Sequence, residues 1–431
     1  MSSESRATVN LAACATFQEG YVNPSQRDPA HFGTDYKWLR ATDLNNGFVI
    51  NTGRGLSKKG FASAGKSALL FEPDTLAISK SGTIGRIGIL KDYMCGNRAV
   101  INIKVNPDCD TRFIFYTLLL NRQKIETLAE GSVQKNLYVS SLGKLQFQLP
   151  PLSEQKRISE TVGALDDRIA LLRETNATLE AIAQALFKSW FVDFDPVHAK
   201  QQGIAPEGMD DATAALFPDS FEGSELGLVP RGWRTCAVYD LATYINGAAY
   251  KAFEPNLERR GWPIIKIAEL KAGVTSQTAY SDVAMPEKYR IETGDILFSW
   301  SGNPDTSIDT FIWHHSYGWL NQHIFRVIPH VAEERSFVLQ ILRYLRPTFA
   351  ELARNKQTTG LGHVTVADMK RLYVIQPDKA AMGIFNETVS PVHARIFENE
   401  VQAQTLATLR DTLLPRLISG QLRLPEVEAQ L

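Results

Sequence analysis

The segment Gly60-Phe-Ala-Ser-Ala-Gly65-Lys66-Ser67 fits GxxxxGK[ST], the phosphate-holding loop of nucleotide hydrolases. That chemistry needs a buried strand before the loop and a helix after it, so that backbone N–H groups and the helix N-terminus meet the phosphates. Here the preceding residues, Arg54-Gly-Leu-Ser-Lys-Lys59, do not read as a strand, and Pro73 stops any helix six residues after Ser67. The match reads as coincidence. A base methyltransferase needs an Asn/Asp-Pro-Pro-Tyr/Phe loop to hold an extruded base; Asn23-Pro-Ser-Gln, Asn106-Pro-Asp-Cys and Asn303-Pro-Asp-Thr all fail it. A nuclease of the paired-carboxylate kind needs Pro-Asp followed by Glu-x-Lys, and Pro218-Asp-Ser-Phe-Glu222 lacks the Lys. His314, His315 and His323 have no carboxylate or Cys at metal-ligand spacing. No catalytic or metal residue is assigned.

What remains are polar, Gly-flanked loops. Arg, Lys, Asn, Gln and His on such loops can hydrogen-bond base edges or clamp phosphates. In the first part of the chain the candidates are Arg54, Lys58, Lys59, Lys66, Lys80, Ser81, Arg86, Asn97 and Arg98, with Gln134, Lys135 and Asn136 in the run 131–136. In the second part they are Trp300, Ser301, Asn303, Asn321, Gln322 and His323, with Lys356, Gln357 and Thr358 in the run 356–360. For any single residue, a solvated turn is the competing reading.

The chain must be able to position these loops. With 431 residues it has room for two or three domains. Hydrophobic residues at 44% and charged residues at 22% argue for a packed globular protein rather than a disordered one. The longest apolar runs, such as 113–120, stop short of the roughly 20 residues of a membrane span. The polar start MSSESRATVN has no signal-peptide core, so a cytoplasmic protein without membrane contact is expected. Cys14, Cys95, Cys109 and Cys236 lie far apart and form no CxxC pair. A net charge of −1 gives no global pull toward nucleic acid, but residues 31–100 hold ten Lys/Arg against five Asp/Glu. Residues 201–230 hold six Asp/Glu and no Lys or Arg, which reads as an acidic connector.

The chain repeats itself. Arg40-x-x-Asp43-Leu44-x-x-Gly47 faces Lys266-x-x-Glu269-Leu270-x-x-Gly273 at an offset of 226. Leu76-Ala-Ile-Ser79-x-Ser81-Gly82 faces Ile296-Leu-Phe-Ser299-x-Ser301-Gly302 at 220, and Asn97 faces Asn321. Residues 142–191 then run without a gap onto 369–418 at an offset of 227, pairing Leu145 with Leu372, Pro150 with Pro377 and Leu186 with Leu413. The matches are colinear, so each half should be a β-rich module, a Pro-marked exit and a long helix. Short apolar runs at 69–71, 76–78, 87–90 and 100–105 read as strands, and 113–120 and 337–345 as short helices.

After Pro150-Pro151, apolar residues recur four and three apart at Ile158, Val162, Leu165, Ile169, Leu172, Leu179, Ala183 and Leu186, with Asn176 filling the gap. The second copy places Phe385, Val389, Val392, Ile396, Asn399, Ala403, Leu406 and Leu413 on one seam, with Arg410 its charged interruption. Two heptad seams in one chain point to mutual pairing of two long helices. If they pair antiparallel, the modules sit at opposite ends about a pseudo-two-fold axis, and Asn176 meets Asn399. Residues 153–191 span about 58 Å at 1.5 Å per residue, a reach that lets one chain touch a duplex at two patches.

The run Leu149-Pro-Pro-Leu-Ser-Glu-Gln-Lys-Arg-Ile158 is very similar to the start of the central conserved region of specificity (S) subunits of type I restriction-modification systems. Leu186-Phe-Lys-Ser-Trp-Phe-Val-Asp-Phe-Asp-Pro196 resembles the end of that region. Residues 216–221, Ser224-Glu-Leu-Gly227 and Pro230-x-Gly232-Trp233 resemble the lead-in to the second target-recognition domain, and Leu413-Leu-Pro-x-Leu-Ile-Ser-Gly-Gln-Leu422 the closing helix. Residues 1–35 depart from the pattern: they have no Pro-x-Gly-Trp entry, which leaves the first strand in doubt. The resemblance implies a non-catalytic subunit that reads an asymmetric, bipartite site in double-stranded DNA. It implies as partners two methyltransferase subunits and restriction subunits, which use S-adenosylmethionine, ATP and Mg, with none bound by this chain.

The expected architecture is α+β: a first target-recognition domain over 1–150, a central helix over 151–195 and an acidic linker over 196–227. A second recognition domain over 228–376 and a C-terminal helix over 377–431 complete it. Two other readings remain at this point. One is a coiled-coil scaffold whose β modules bind protein or peptide; the other is an enzyme, a P-loop ATPase or a fused methyltransferase.

Overall fold

The computed structural model describes residues 6–131, 135–357 and 360–423, so Gln134 and Thr358 lie outside the described residues. The chain divides into two units, Met1–Ala170 with Gln404–Leu431, and Leu171–Ala403. Each unit holds one module and one half of each of two long helices, the central helix Leu152–Phe191 and the C-terminal helix Lys379–Ser419.

In the first unit Ala15–Glu19, Val100–Val105, Leu76–Ser79 and Ile87–Leu90 form an antiparallel sheet in that order, with Phe48–Val49 parallel at its edge. Leu76–Ser79 is buried throughout, which is why its sequence is a short apolar run rather than an alternation. Asp110 caps the helix Thr111–Leu120 by accepting from the Phe113 amide at 2.8 Å. That helix buries Phe113 and Ile114 in a core shared with Ile101 and Ile103 of the sheet, Ile158 and Val162 of the central helix, and Leu413 and Leu417 of the C-terminal helix. Module and helix ends are thus one core. Of the run 69–71, only Phe71 pairs, in an isolated bridge to Met94, while Leu69 and Leu70 are exposed.

The second unit repeats the design. Ala242–Asn246, Ile324–Pro329, Ile296–Ser299 and Asp309–Ile312 make the same four-strand order. In the smaller sheets Trp38 pairs in parallel with Cys95, and Ile264 with Trp319. The segment 196–227, read as a linker, is folded. It forms the helices Asp195–Gln201 and Asp211–Ala215, and its hairpin Phe221–Ser224 with Gly227–Pro230 runs into the second module. Aromatic packing explains this, because Trp190 lies 5.3 Å from Phe217, and Phe191 5.8 Å from Trp233. The doubtful first strand exists: Ala7–Asn10 pairs with Gln146–Leu149, Ala7 opposite Leu149, as Arg234 of Arg234–Ala237 stands opposite Gln376.

The helices pair antiparallel within each unit. In the first, Arg410 donates to Asp166 at 2.7 Å, which gives the charged interruption of the seam a partner. In the second, Asn399 Nδ2 donates to Asn176 Oδ1 at 2.8 Å and Asn176 Nδ2 to the Ile396 carbonyl at 3.1 Å. Ile158, Val162, Ile169, Leu172, Val389 and Leu413 are buried, whereas Leu165, Leu179, Leu186, Val392, Ile396 and Leu406 are half-buried, as befits a seam only two helices wide. Asn399 is 2% exposed. Replacing Asn176 by Leu strips its acceptor and should cost about 1–3 kcal/mol in denaturant unfolding, while Asn176→Leu with Asn399→Leu should recover most of that. A double variant no more stable than the single one would contradict the pairing.

Candidate nucleic-acid interface

The motif Arg40-x-x-Asp43, repeated as Lys266-x-x-Glu269, is a capping box in both modules. Asp43 accepts from the Arg40 amide at 2.8 Å and Glu269 from the Lys266 amide at 3.0 Å. Both boxes follow the strand of the small sheet that leads toward the candidate loops. Asn97 donates its amide to the Leu39 carbonyl at 2.9 Å, and Asn321 to the Ile265 carbonyl at 3.1 Å. Gly20 and Gly247 pass close beneath these turns, since a Cβ on either would lie 2.2 Å from the Asn97 or Asn321 carbonyl oxygen. Only glycine fits there.

Three candidate loops meet at one edge of each module. In the first, the Lys80 amide donates to the Ala99 carbonyl at 2.8 Å and the Leu137 amide to the Lys80 carbonyl at 2.8 Å. In the second, Trp300 donates to His323 at 3.3 Å and Val364 to Trp300 at 2.8 Å. The same two backbone bonds therefore hold the loops near 80, 97 and 135 together, and those near 300, 321 and 360. Backbone register is common to both edges; side chains are not.

On the first edge Arg98 and Lys135 are exposed and Ser81 and Arg86 half-buried. Lys80 is engaged, paired with Glu19 at 2.9 Å. Asn97 uses its side chain to accept from the Ala99 amide at 2.9 Å, and Asn136 forms a bridge with Glu130. On the second edge the Trp300 indole donates to Asn246 at 3.1 Å, its ring 5.6 Å from that of His323. Burial lowers the pKa of His323, so it is neutral at pH 7. Gln322 lies 3.2 Å from His323 Nε2, Asn303 is exposed and caps the following turn by accepting from the Asp305 amide at 3.0 Å, and Gln357 is exposed. Ser301 pairs with His363 in a short strand. Asn321 is 3% exposed, and this burial places its side chain inside the module rather than at the edge. Lys356 is tied to Asp368 at 2.6 Å, an ion pair that holds the Asp368 carboxyl below its usual range.

Arg54, Lys58 and Lys59 sit apart on the small sheet. Arg54 donates to Gln26 at 2.7 Å and lies 3.9 Å above the Phe32 ring, Lys59 pairs with Asp28 at 2.8 Å, and Lys58 is exposed. The stretch before the apparent phosphate loop does contain a strand, of two residues, Gly55–Leu56. It is followed at once by the helix Lys58–Ala62, which occupies the front of the motif, and after the single turn Gly65–Ser67 no helix starts. That order cannot cradle a phosphate chain. Lys66 is exposed and has no ion pair among the described residues.

The histidines do not converge. His314 packs 5.3 Å from Phe397 and burial takes its pKa down to about 4, while His315 lies tilted 4.7 Å from Trp313. Burial also pushes the Cys95 thiol up to about 12. Among the described residues no three His, Cys, Asp or Glu side chains form a metal-holding group, and no helix is long and apolar enough to cross a membrane.

The family of the type I restriction modification DNA specificity domain matches residues 18–181 and again 230–402, covering both modules and much of the paired helices. The chain belongs to this family. Among its relatives, the type I restriction enzyme MjaIX specificity subunit of Methanocaldococcus jannaschii is 23% identical over 95% of this chain and 91% of its own. The HindI specificity subunit of Haemophilus influenzae is 27% identical over 72% of this chain and 77% of its own. The crystal structure of a type I restriction-modification S subunit from M. genitalium superposes with a TM-score of 0.54 at 16% identity, covering 97% of both chains, so the specificity-subunit fold extends over nearly the whole chain. Within this family fold the polar ties between module and helix take a new meaning. Tyr116 donates to Asp166 at 2.6 Å in one unit, and Gln340 Nε2 lies 2.9 Å from His393 in the other. The residues at 116 and 340, and at 166 and 393, are repeat equivalents, so each copy pins its short helix to a long one at the same place.

Proposed function

We propose that this chain is the sequence-reading subunit of a type I restriction-modification complex, each module reading one half of an asymmetric, bipartite site in double-stranded DNA. The observation that carries the reading is the loop edge. One backbone arrangement recurs in both modules, furnished with Ser81, Arg86, Arg98 and Lys135 in the first and with Trp300, Asn303, His323 and Gln357 in the second. Equal scaffolds with unequal side chains fit two half-sites of different sequence, since base edges are discriminated by the donors and acceptors placed against them.

In this reading the chain is non-catalytic. Its long helices hold two methyltransferase subunits, restriction subunits complete the assembly, and S-adenosylmethionine, ATP and Mg are used by those partners. The complex formed with its methyltransferase subunits should methylate a two-part motif with an unread gap, found by sequencing modified bases in a host carrying the system. The isolated chain should bind neither ATP nor S-adenosylmethionine by calorimetry. ATP binding that Lys66→Ala abolished would overturn the non-catalytic assignment, and a continuous or symmetric motif would overturn the two-reader assignment.

A further inference from the structure

Tyr93 and Tyr317 lie 224 residues apart, the offset that relates Asn97 to Asn321. Both are exposed, 55% and 45%. Each stands immediately before the short strand, Met94–Gly96 or Gly318–Leu320, that runs in parallel beside the small sheet and ends at the loop edge. The backing of the two differs. Trp262 stacks on Tyr317 at 5.5 Å, whereas Tyr36, the residue before Lys37 that pairs with Met94, is stacked on Phe61 at 4.3 Å. Arg290 lies 5.0 Å above the Tyr317 ring, and Asp92, the residue before Tyr93, is held by Lys37 at 2.7 Å. Neither hydroxyl has a hydrogen-bond partner among the described residues, whereas the buried Tyr116 and Tyr244 hydroxyls both do.

Two copies of one repeat have diverged at their loop side chains yet each keeps an exposed tyrosine with a free hydroxyl. A position that is shared while the reading residues differ suits a contact that carries no sequence information. Phosphates are that contact, and tyrosine is among the residues that hydrogen-bond them. The spacing agrees. Four residue steps, through a three-residue strand, carry the chain from each tyrosine to its asparagine turn, about 13 Å at 3.3 Å per residue. The major groove is about 12 Å wide, so a module whose loop edge enters the groove has a tyrosine at the distance of the groove wall.

We propose that Tyr93 and Tyr317 are phosphate-binding residues, one per module, each donating its hydroxyl to the DNA backbone beside the half-site its module reads. The proposal rests on the DNA-reading function above. Its test uses the complex with methyltransferase subunits, the methylated target duplex and an unrelated duplex. Tyr93→Phe and Tyr317→Phe keep the ring and remove only the hydroxyl. Each should weaken binding to target and unrelated duplex alike, by about tenfold at low salt, and leave the methylated motif unchanged. Phosphate ethylation that blocks binding by the wild-type complex should cease to matter at one backbone position, in the half-site of the altered module. Wild-type affinity in the Phe variants would overturn the proposal, as would a changed base in the motif or an unaltered ethylation pattern. A wild-type complex with no preference for its own target over the unrelated duplex would instead refute the DNA-reading function on which the proposal stands.

Discussion

Replacing residues 228–376 with the corresponding module of another family member is expected to change one half of the methylated target and leave the other half intact. The exchange is local because the module's entry and exit are adjacent: Arg234–Ala237 pairs antiparallel with Tyr373–Gln376. It is tolerated only if the donor keeps aromatic residues at the positions of Trp233 and Phe337, which pack on Phe191 at 5.8 and 5.3 Å. The effect is large, since each mismatched base pair costs about 1–3 kcal/mol, and a half-site of three pairs then loses about a hundredfold or more in preference. Sequencing the modified bases of cells carrying the chimera reads the outcome directly. Simultaneous change of both halves would refute separate readers.

The repeat made much of this fold legible in the sequence, because the framework keeps a constant offset of 227 along the helices, where every residue between 142 and 191 has a counterpart. Helix periodicity located the starts of both long helices to within two residues, but the central helix ends at Phe191 rather than 195 and the C-terminal one at Ser419 rather than 431, where Gly420 turns the chain at a positive φ. The asparagines inside the seams stood at positions that antiparallel pairing brings together. What sequence patterns missed has physical causes. Ala7–Asn10 is four residues long and largely exposed, so it lacks alternation; its pairing with Gln146–Leu149 defines it. The stretch 196–227 looked like a connector by charge, but burial of Phe217 and Val197 in the aromatic core decides its structure.

The candidate interface was legible as loops and much less as residues. Which lysines are occupied depends on partners distant in sequence, Glu19 for Lys80, Asp28 for Lys59 and Asp368 for Lys356. Asn321 carried the right chemistry in the right turn, yet the turn buries it, because its carbonyl lies against Gly247 and its amide is bound to Ile265. Nothing in the pattern around Tyr93 and Tyr317 tells them from core, because an aromatic residue before a strand reads as core; exposure at equivalent positions of both copies marks them out.

Inserting one heptad in each long helix should lengthen the unread gap of the target by about three base pairs while both half-sites keep their sequences. The bond between Asn176 and Asn399 sets the register, placing Leu172 opposite Ala403, so the insertions belong between Leu172 and Arg173 and between Gln402 and Ala403. Seven residues preserve the four-and-three alternation of both seams, and with it the Asn pair. They lengthen each helix by about 10 Å at 1.5 Å per residue, which is close to three base pairs at 3.4 Å each. Three base pairs also turn one half-site about 100° around a duplex of roughly 10 pairs per turn. Binding should therefore weaken, because the helices or the DNA must twist to bring both edges back to their grooves. The gap in the methylated motif separates the possibilities. If the motif lengthens, even with reduced methylation, the paired helices are the ruler; if it keeps its gap with full activity, something other than helix length sets the distance between the half-sites.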